Sequence, residues 1–491
     1  LGARVGEVGL QEPPCPLLDS EDATFDRDNL LRQRSCNFRR LNYGYVSGYA
    51  PISMDRNDGE TVEFAFKKRL FSVLPYDTPG FDKKAYQDRL RRFSDFVASW
   101  LRENVPIPRI MDFEEWLATT SYNQNRKEEL RKAFLDLKGG FPSLYESSHV
   151  DSFVKLESYP LMKNARMINS RCDAFKAWWG PFCKSIEDVV FRLPWFVKHM
   201  TVEERVAKVK ALKAAGRRYF ATDFTAFESH FIPDLMNACE CQLYRWCLQF
   251  YPTVAEHACK VLTGKNRMRT RRGCKATVEG RRMSGDMNTS LGNGFTNLML
   301  ALFLVHEKNG QIVGLVEGDD GLFASTVDLT ARDYFEMNFN IKIESVDDPC
   351  TASFCGMVFT EDDQVIRDPR RFLENFGWTH SFIHAGDRVM DELLHAKCLS
   401  VLFETPHCPV VAVLARECLK KVAYTNPRFV YDGYHDSLPK NLKVPDFAPT
   451  IATRILFQRL YGVSVAEQLL IEDHIQDGDL SYLALTLPAS T

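Results

Sequence analysis

The chain has 491 residues, 45% of them apolar, and 62 Lys and Arg against 65 Asp and Glu, for a formal net charge of −3. That supplies a large core and room for about three domains or subdomains, while the near-neutral balance argues neither for nor against a nucleic-acid partner. The longest apolar stretch, Leu298 to Val305, falls far short of the ~18 residues a membrane-spanning helix needs, and no stretch reads as a signal peptide.

Residues 1–60 are rich in Pro, Asp and Arg and weakly periodic, which predicts an extended or irregular segment. The chain opens on Leu1 rather than Met, so a processed, readthrough or trimmed terminus is expected. Apolar positions recur at helical spacing from Tyr86 to Leu101 and from Phe113 to Leu137, and Gly139-Gly140-Phe141-Pro142 ends the second pattern. In the next segment Lys155, Lys163, Arg166 and Arg171 alternate with apolar residues, as in a ribbon with one basic face. Arg grips phosphate through its bidentate fork and Lys acts as a point charge; a solvated basic loop is the alternative.

Tyr219 to Thr222 reads as a short buried strand that ends at Asp223. Taken alone, Asp223 could equally cap a helix. Cys239, Cys241, Cys247, His257 and Cys259 fall near one another, but not at the usual zinc spacing. None of the 14 cysteines forms a Cys-x-x-Cys pair, so reduced thiols filling the core are expected. From Lys260 to Arg282 there are nine basic residues (Lys260, Lys265, Arg267, Arg269, Arg271, Arg272, Lys275, Arg281 and Arg282) against one acidic residue, Glu279. Such a run can neutralise strand phosphates without reading sequence; a solvated turn is the alternative.

A polar loop, Ser284 to Asn293, then leads into an apolar helix from Phe295 to Leu304. Two strand-like runs, Ile312–Glu317 and Leu322–Ser325, flank Gly318-Asp319-Asp320. A hairpin with Gly at its tip thrusts two adjacent carboxylates out together. Paired carboxylates hold divalent cations such as Mg²⁺, and a third from a distant segment, Asp223, is what a two-cation site requires. A helix from Thr330 to Asn338 and a strand from Phe339 to Val346 follow. After Asp368 the pattern is mostly helical, over Phe372–Phe376, Val389–Leu402, Val410–Ala423 and Ile451–Tyr461.

These signatures, in this order, resemble those of an RNA-dependent RNA polymerase of a positive-strand RNA virus. Asp223 and Glu228 look like motif A, Ser284, Gly285, Thr289 and Asn293 like motif B, and Gly318-Asp319-Asp320 like motif C. Lys342 is similar to motif D, Phe354-Cys355-Gly356 to motif E, and the Lys155–Arg171 ribbon to motif F. The run from Ser284 to Asn293 most resembles the tombusvirus-like polymerases.

The resemblance implies an α+β right-hand fold with an antiparallel palm sheet flanked by helices. Its expected parts are an N-terminal extension over 1–60, fingers over 61–216, palm over 217–239, a fingers insertion over 240–278, palm over 279–367 and thumb over 368–491. It makes Asp223, Asp319 and Asp320 the ligands of Mg²⁺, with Mn²⁺ as the alternative ion. Lys155, Lys163, Arg166 and Arg171 would then bind the triphosphate. Glu228 and Asn293 would recognise the ribose 2′-hydroxyl, where the family usually has Asp instead of Glu. Lys342 is the expected proton donor to pyrophosphate, or else an edge lysine that guards a sheet. Lys265, Arg267, Arg269, Arg271, Arg272, Arg281 and Arg282 would touch RNA. Phe354, Cys355 and Gly356 would support the primer strand, or simply form a palm hairpin.

Expected partners are RNA template and product, ribonucleoside triphosphates, and other viral replication proteins that supply membrane attachment. The expected location is the host cytoplasm, at membrane-associated replication complexes. Reverse transcription and a catalytically inactive RNA-binding scaffold are the competing readings; Asn293 with Glu228 weighs against the first, and intact Asp223, Asp319 and Asp320 against the second.

Overall fold

The computed structural model describes residues 23–24, 38–53, 58–155, 157–159, 165–215, 218–271, 274–430 and 448–487. The strands that position the site are β1 (His149–Val154), β2 (Met167–Arg171), β3 (Arg218–Phe224), β4 (Lys265–Arg269), β5 (Lys275–Glu279), β6 (Ile312–Glu317), β7 (Asp320–Ser325) and β8 (Ile341–Val346). The helices are α1 (Gly59–Leu70), α2 (Val202–Ala214), α3 (Glu240–Cys247) and α4 (Thr289–Glu307).

Period-two burial builds the central sheet. Along β7, Leu322 and Ala324 face one apolar cluster, with Val206, Val209 and Leu212 of α2, while Phe323 faces the other, with Phe220 of β3 and the apolar side of α4. The sheet is therefore covered on both faces. Its order is β6-β7-β3-β8, and every pairing in it is antiparallel. A second sheet, ordered β5-β4-β1-β2 with Ala23–Thr24 added at the β5 edge, is mixed: β1 and β4 run parallel. The chain is thus a mixed helix-and-sheet protein with largely antiparallel sheets.

Several expected elements differ in extent. The helical pattern from Phe113 to Leu137 is two helices, Phe113–Thr119 and Gln124–Asp136. Asn123 starts the second, its side chain accepting a hydrogen bond from the Arg126 amide. The Thr330–Asn338 helix is shorter, Ala331–Phe335, and opens with a capping box between Thr330 and Asp333. Beyond Ile451–Tyr461, two further helices, Val465–Gln476 and Ser481–Thr486, complete a C-terminal helical cluster. Leu41, Val46 and Tyr49 from the N-terminal region are buried in that cluster, and Arg39–Arg40 pairs with Trp378–Thr379.

Candidate active site

The hairpin β6–β7 closes on Glu317 opposite Asp320, leaving Gly318 and Asp319 as a two-residue turn. Gly318 has φ +58°, the left-handed value that a type II′ turn demands at its first central residue. A Cβ there would meet nothing, so backbone conformation, not crowding, calls for glycine. Asn297 of α4 donates from Nδ2 to the carbonyls of Gly318 (3.3 Å) and Asp319 (3.1 Å), tying the turn to the helix behind it.

Register sets the aspartates next to one another along the sheet end. Gly321 of β7 pairs with Thr222 of β3, so Asp320 sits one step along, beside Asp223. On the far side of β3, Lys342 of the edge strand β8 pairs directly with Asp223. Antiparallel partners project to the same face, so Asp320, Asp223 and Lys342 line one end of the sheet, with Asp319 at the turn above.

Asp319 and Asp320 are exposed residues, yet the protein packed around them raises both carboxyls. Burial raises the Asp319 carboxyl, with Glu228 pushing it further up and Arg69 and Arg166 opposing. Asp320 is pushed up to about 6, first by burial and next by Asp319; the Cys355 hydrogen bond lowers it, and Asp223 and Glu317 add to the rise. Oxygen-only donors that repel one another in this way present the charge deficit that a divalent cation relieves. Among the described residues, the three-ligand group whose donor atoms lie within 4.8 Å of one another is elsewhere: Asp348, Cys350 and Glu361. There the Lys213 ammonium already contacts both carboxylates, at 2.7 Å from Asp348.

Glu228 lies in a 3₁₀ turn, Phe227–His230, just beyond β3. Its carboxylate accepts from Arg69 Nη1 of α1 at 3.1 and 3.3 Å and from Ser284 Oγ at 3.2 Å. The expected partner Asn293 does not hydrogen-bond to it; Asn293 Oδ1 accepts from Arg282 Nε at 2.9 Å. Gly285 N and Thr289 Oγ1 approach at 3.4 Å, and Thr289 donates to the Asp286 carbonyl at 2.7 Å, closing the loop into α4.

Two assigned arginines are corrected by burial. The Arg282 side chain is 1% exposed and paired with Glu240 of α3, itself 0% exposed; its guanidinium also lies 4.2 Å from the Phe231 ring. Arg171 is 1% exposed, 2.8 Å from Asp286, and donates to the Ser147 carbonyl at 2.7 Å. Both guanidiniums are turned away from solvent, a placement that suits support of the loop carrying Ser284, through Asp286 and Asn293, better than contact with RNA or a triphosphate. Arg281 turns inward as well, donating to the Leu70 carbonyl at 3.0 Å.

Other assigned residues face outward. Lys265, Arg267 and Arg269 alternate with buried Asn266 and Met268 along β4, so they share one face. Arg267 lies 5.1 Å from the Tyr145 ring, and Arg269 pairs with Asp151 at 3.0 Å. Arg271 is exposed in the following turn. Arg166 pairs with Glu157, and Lys155 stands 3.4 Å from the same carboxylate. Lys163 and Arg272 lie outside the described residues. Phe354 is buried, and Cys355 (φ +53°) and Gly356 (φ +75°) form the turn between Phe354 and Met357. Burial raises the Cys355 thiol, and Asp320 raises it further, so this segment is felt electrostatically by the carboxylates. Cys239, Cys241, Cys247 and Cys259 are free, buried core residues, and the neighbouring Cys259 thiol together with burial raises the Cys241 thiol.

Sequence reasoning missed Arg69, Asn297 and the Cys355–Asp320 coupling. Asn297 was within reach: it lies four residues after Asn293 in an otherwise apolar helix, hence on the same face.

The end of the central sheet thus gathers Asp223, Asp320 and Lys342, with Asp319 at the adjoining turn. Residues 182–372 match the family described as viral RNA dependent RNA polymerase. The chain is also similar to the RNA-directed RNA polymerase of Oat chlorotic stunt virus (isolate United Kingdom), 25% identical over 342 residues. That match covers 61% of this chain and 44% of the relative, so the chain spans less than half the relative's length. Among the described residues no helix is long and apolar enough to cross a membrane.

Proposed function

We propose that this chain synthesises RNA on an RNA template during viral genome replication, transferring ribonucleotides to a 3′-hydroxyl with release of pyrophosphate. The observation that carries this reading is the register that sets Asp320 beside Asp223, with Asp319 at the adjoining turn. In this reading the central sheet is the palm of a right hand. The β1–β2–β4–β5 sheet belongs to the fingers, with 240–278 as an insertion into them, and the C-terminal helical cluster is the thumb. A tombusvirus-like lineage is compatible with the family match.

Asp223, Asp319 and Asp320 would hold Mg²⁺ or Mn²⁺, which when bound supplies charge neutralisation at the attacking hydroxyl and the departing pyrophosphate. The chain's own groups do the rest. Lys155 and Arg166 flank the triphosphate, Glu228 and Asn293 face the sugar, and Lys342 stands opposite Asp223 to deliver a proton. The outward face of β4, with Lys265, Arg267 and Arg269, meets the RNA backbone. Other viral replication proteins would supply membrane attachment at cytoplasmic replication complexes.

The test uses purified chain, a short RNA with and without primer, and labelled nucleotides, in Mg²⁺ and then Mn²⁺. Template-dependent incorporation is expected from the wild type and none from Asp319→Ala, with RNA binding retained. Product formation that survives Asp319→Ala, or preferential use of deoxynucleotides, overturns the reading.

A further inference from the structure

Glu228 is one methylene longer than the Asp usual in its family position, and the structure shows where the extra reach goes. Its carboxylate spans to the Arg69 guanidinium of α1, at 3.1 and 3.3 Å, while Ser284 Oγ holds Oε1 at 3.2 Å. The main chain is fixed too, because the Arg282 amide donates to the Glu228 carbonyl at 3.0 Å. The pair is only partly exposed, 23% for Arg69 and 17% for Glu228, so it sits largely out of bulk water, where charge-assisted bonds are strong. Arg69 Nε is buried without a hydrogen-bond partner. The same guanidinium acts electrostatically on Asp319.

We infer that Arg69 is a specificity-determining positioning residue that fixes the Glu228 carboxylate for recognition of a ribonucleotide 2′-hydroxyl. This deepens the proposed function and rests on it. As a carboxylate, Glu228 is an acceptor only. Asn293 complements it: Arg282 occupies Oδ1, which turns the amide nitrogen, a donor, away from that contact. An acceptor and a donor satisfy both sides of a hydroxyl. A deoxyribose leaves the remaining acceptor site of Glu228 and the Asn293 donor unfilled, which is how a polar site rejects an analogue lacking the group. Without Arg69 the longer side chain regains rotamer freedom and the acceptor is no longer preset.

The experiment measures kcat/KM for ATP and for 2′-deoxy-ATP on one primed RNA template, for wild type, Arg69→Gln, Arg69→Lys, Glu228→Gln and the Arg69→Gln/Glu228→Gln double variant. Arg69→Gln is expected to lower the ribose-to-deoxyribose ratio about tenfold or more, the loss of one charge-assisted bond, by reducing ribonucleotide use and sparing the deoxynucleotide. Arg69→Lys should lie between. The double variant should fall no further than Glu228→Gln, because both act on one carboxylate. Equal loss for both nucleotides in Arg69→Gln and Arg69→Lys, with the ratio unchanged, marks a merely structural role and overturns the inference. A wild-type chain that makes RNA but does not discriminate overturns the inference alone. A wild-type chain that makes no RNA overturns the proposed function and the inference together.

Discussion

Replacing Arg282 with Met separates a structural arginine from an RNA-binding one. Arg282 and Glu240 are 1% and 0% exposed, and each is the other's ion-pair partner. Burial pulls the Arg282 guanidinium down, but Glu240 more than offsets it; burial raises Glu240, and Arg282 holds it down. Met fills much of the same volume without charge, so Glu240 is left buried and uncompensated. Removing one member of such a pair costs about 3–5 kcal/mol. With roughly 2.1 cal/mol/K of unfolding entropy per residue, 491 residues give about 1 kcal/mol/K, so Tm should fall by about 3–5 °C if unfolding is one transition. Thermal unfolding is read alongside RNA binding across a salt series. The Arg282→Met/Glu240→Gln double variant should recover most of the loss, since removing both charges of a buried pair is nearly neutral. The reasoning fails if Tm is unchanged while RNA affinity drops and its salt slope falls by about one, the signature of a lost phosphate contact.

Two further outcomes follow from neighbouring groups. His230 is buried; its Nε2 accepts from the Asn340 amide at 3.0 Å and Nδ1 faces the Ala226 carbonyl at 3.2 Å, and burial lowers its pKa to about 4. The unfolded chain therefore binds a proton near pH 6.5 that the fold refuses, so this stabilisation is complete above that pH and is lost as pH falls toward 4. It amounts to about 2 kcal/mol between pH 7 and 5. Raised carboxyls such as Glu187, at about 7, act in the opposite sense, so urea unfolding of His230→Gln against wild type isolates the slope; parallel pH profiles would refute it. Asn297→Ala removes both bonds to the motif C turn and should lower kcat about tenfold with KM for nucleotide little changed; unaltered kcat would show that the turn holds its shape unaided.

What was legible in the sequence was local. The β6–β7 hairpin follows from a two-residue turn between alternating runs, and Asp223 from the strand that carries it. The loop into α4 was visible from its small and polar residues, and a helix start at Asn123 could have been. What was hidden was long-range pairing. Arg171 finds Asp286 across 115 positions, Arg282 finds Glu240 across 42, and Glu228 finds Arg69 across 159. Residue type and alternation are the same for an arginine that grips phosphate and one that grips a buried carboxylate. Only the fold says which acid stands opposite.

The basic run from Lys260 to Arg282 shows how that choice is made. Strand β4 is two-faced: Lys265, Arg267 and Arg269 project together because buried Asn266 and Met268 take the other side. Past β5 the chain turns at Gly280, and Arg281 and Arg282 point inward, one to the Leu70 carbonyl and one to Glu240. Those contacts link α1 and α3 to the loop entering α4. A Cβ on Gly292 of α4 would come within 2.2 Å of Glu240 and 2.3 Å of Arg282, so the ion pair lies directly against the helix. Arg282 in turn orients Asn293, the next residue of that helix. One stretch of sequence therefore offers positive charge to solvent at its start and, at its end, uses the same charge inside to orient a single amide, that of Asn293. Its two halves should respond unequally to salt: screening weakens what the outer face holds and leaves the buried pair almost untouched.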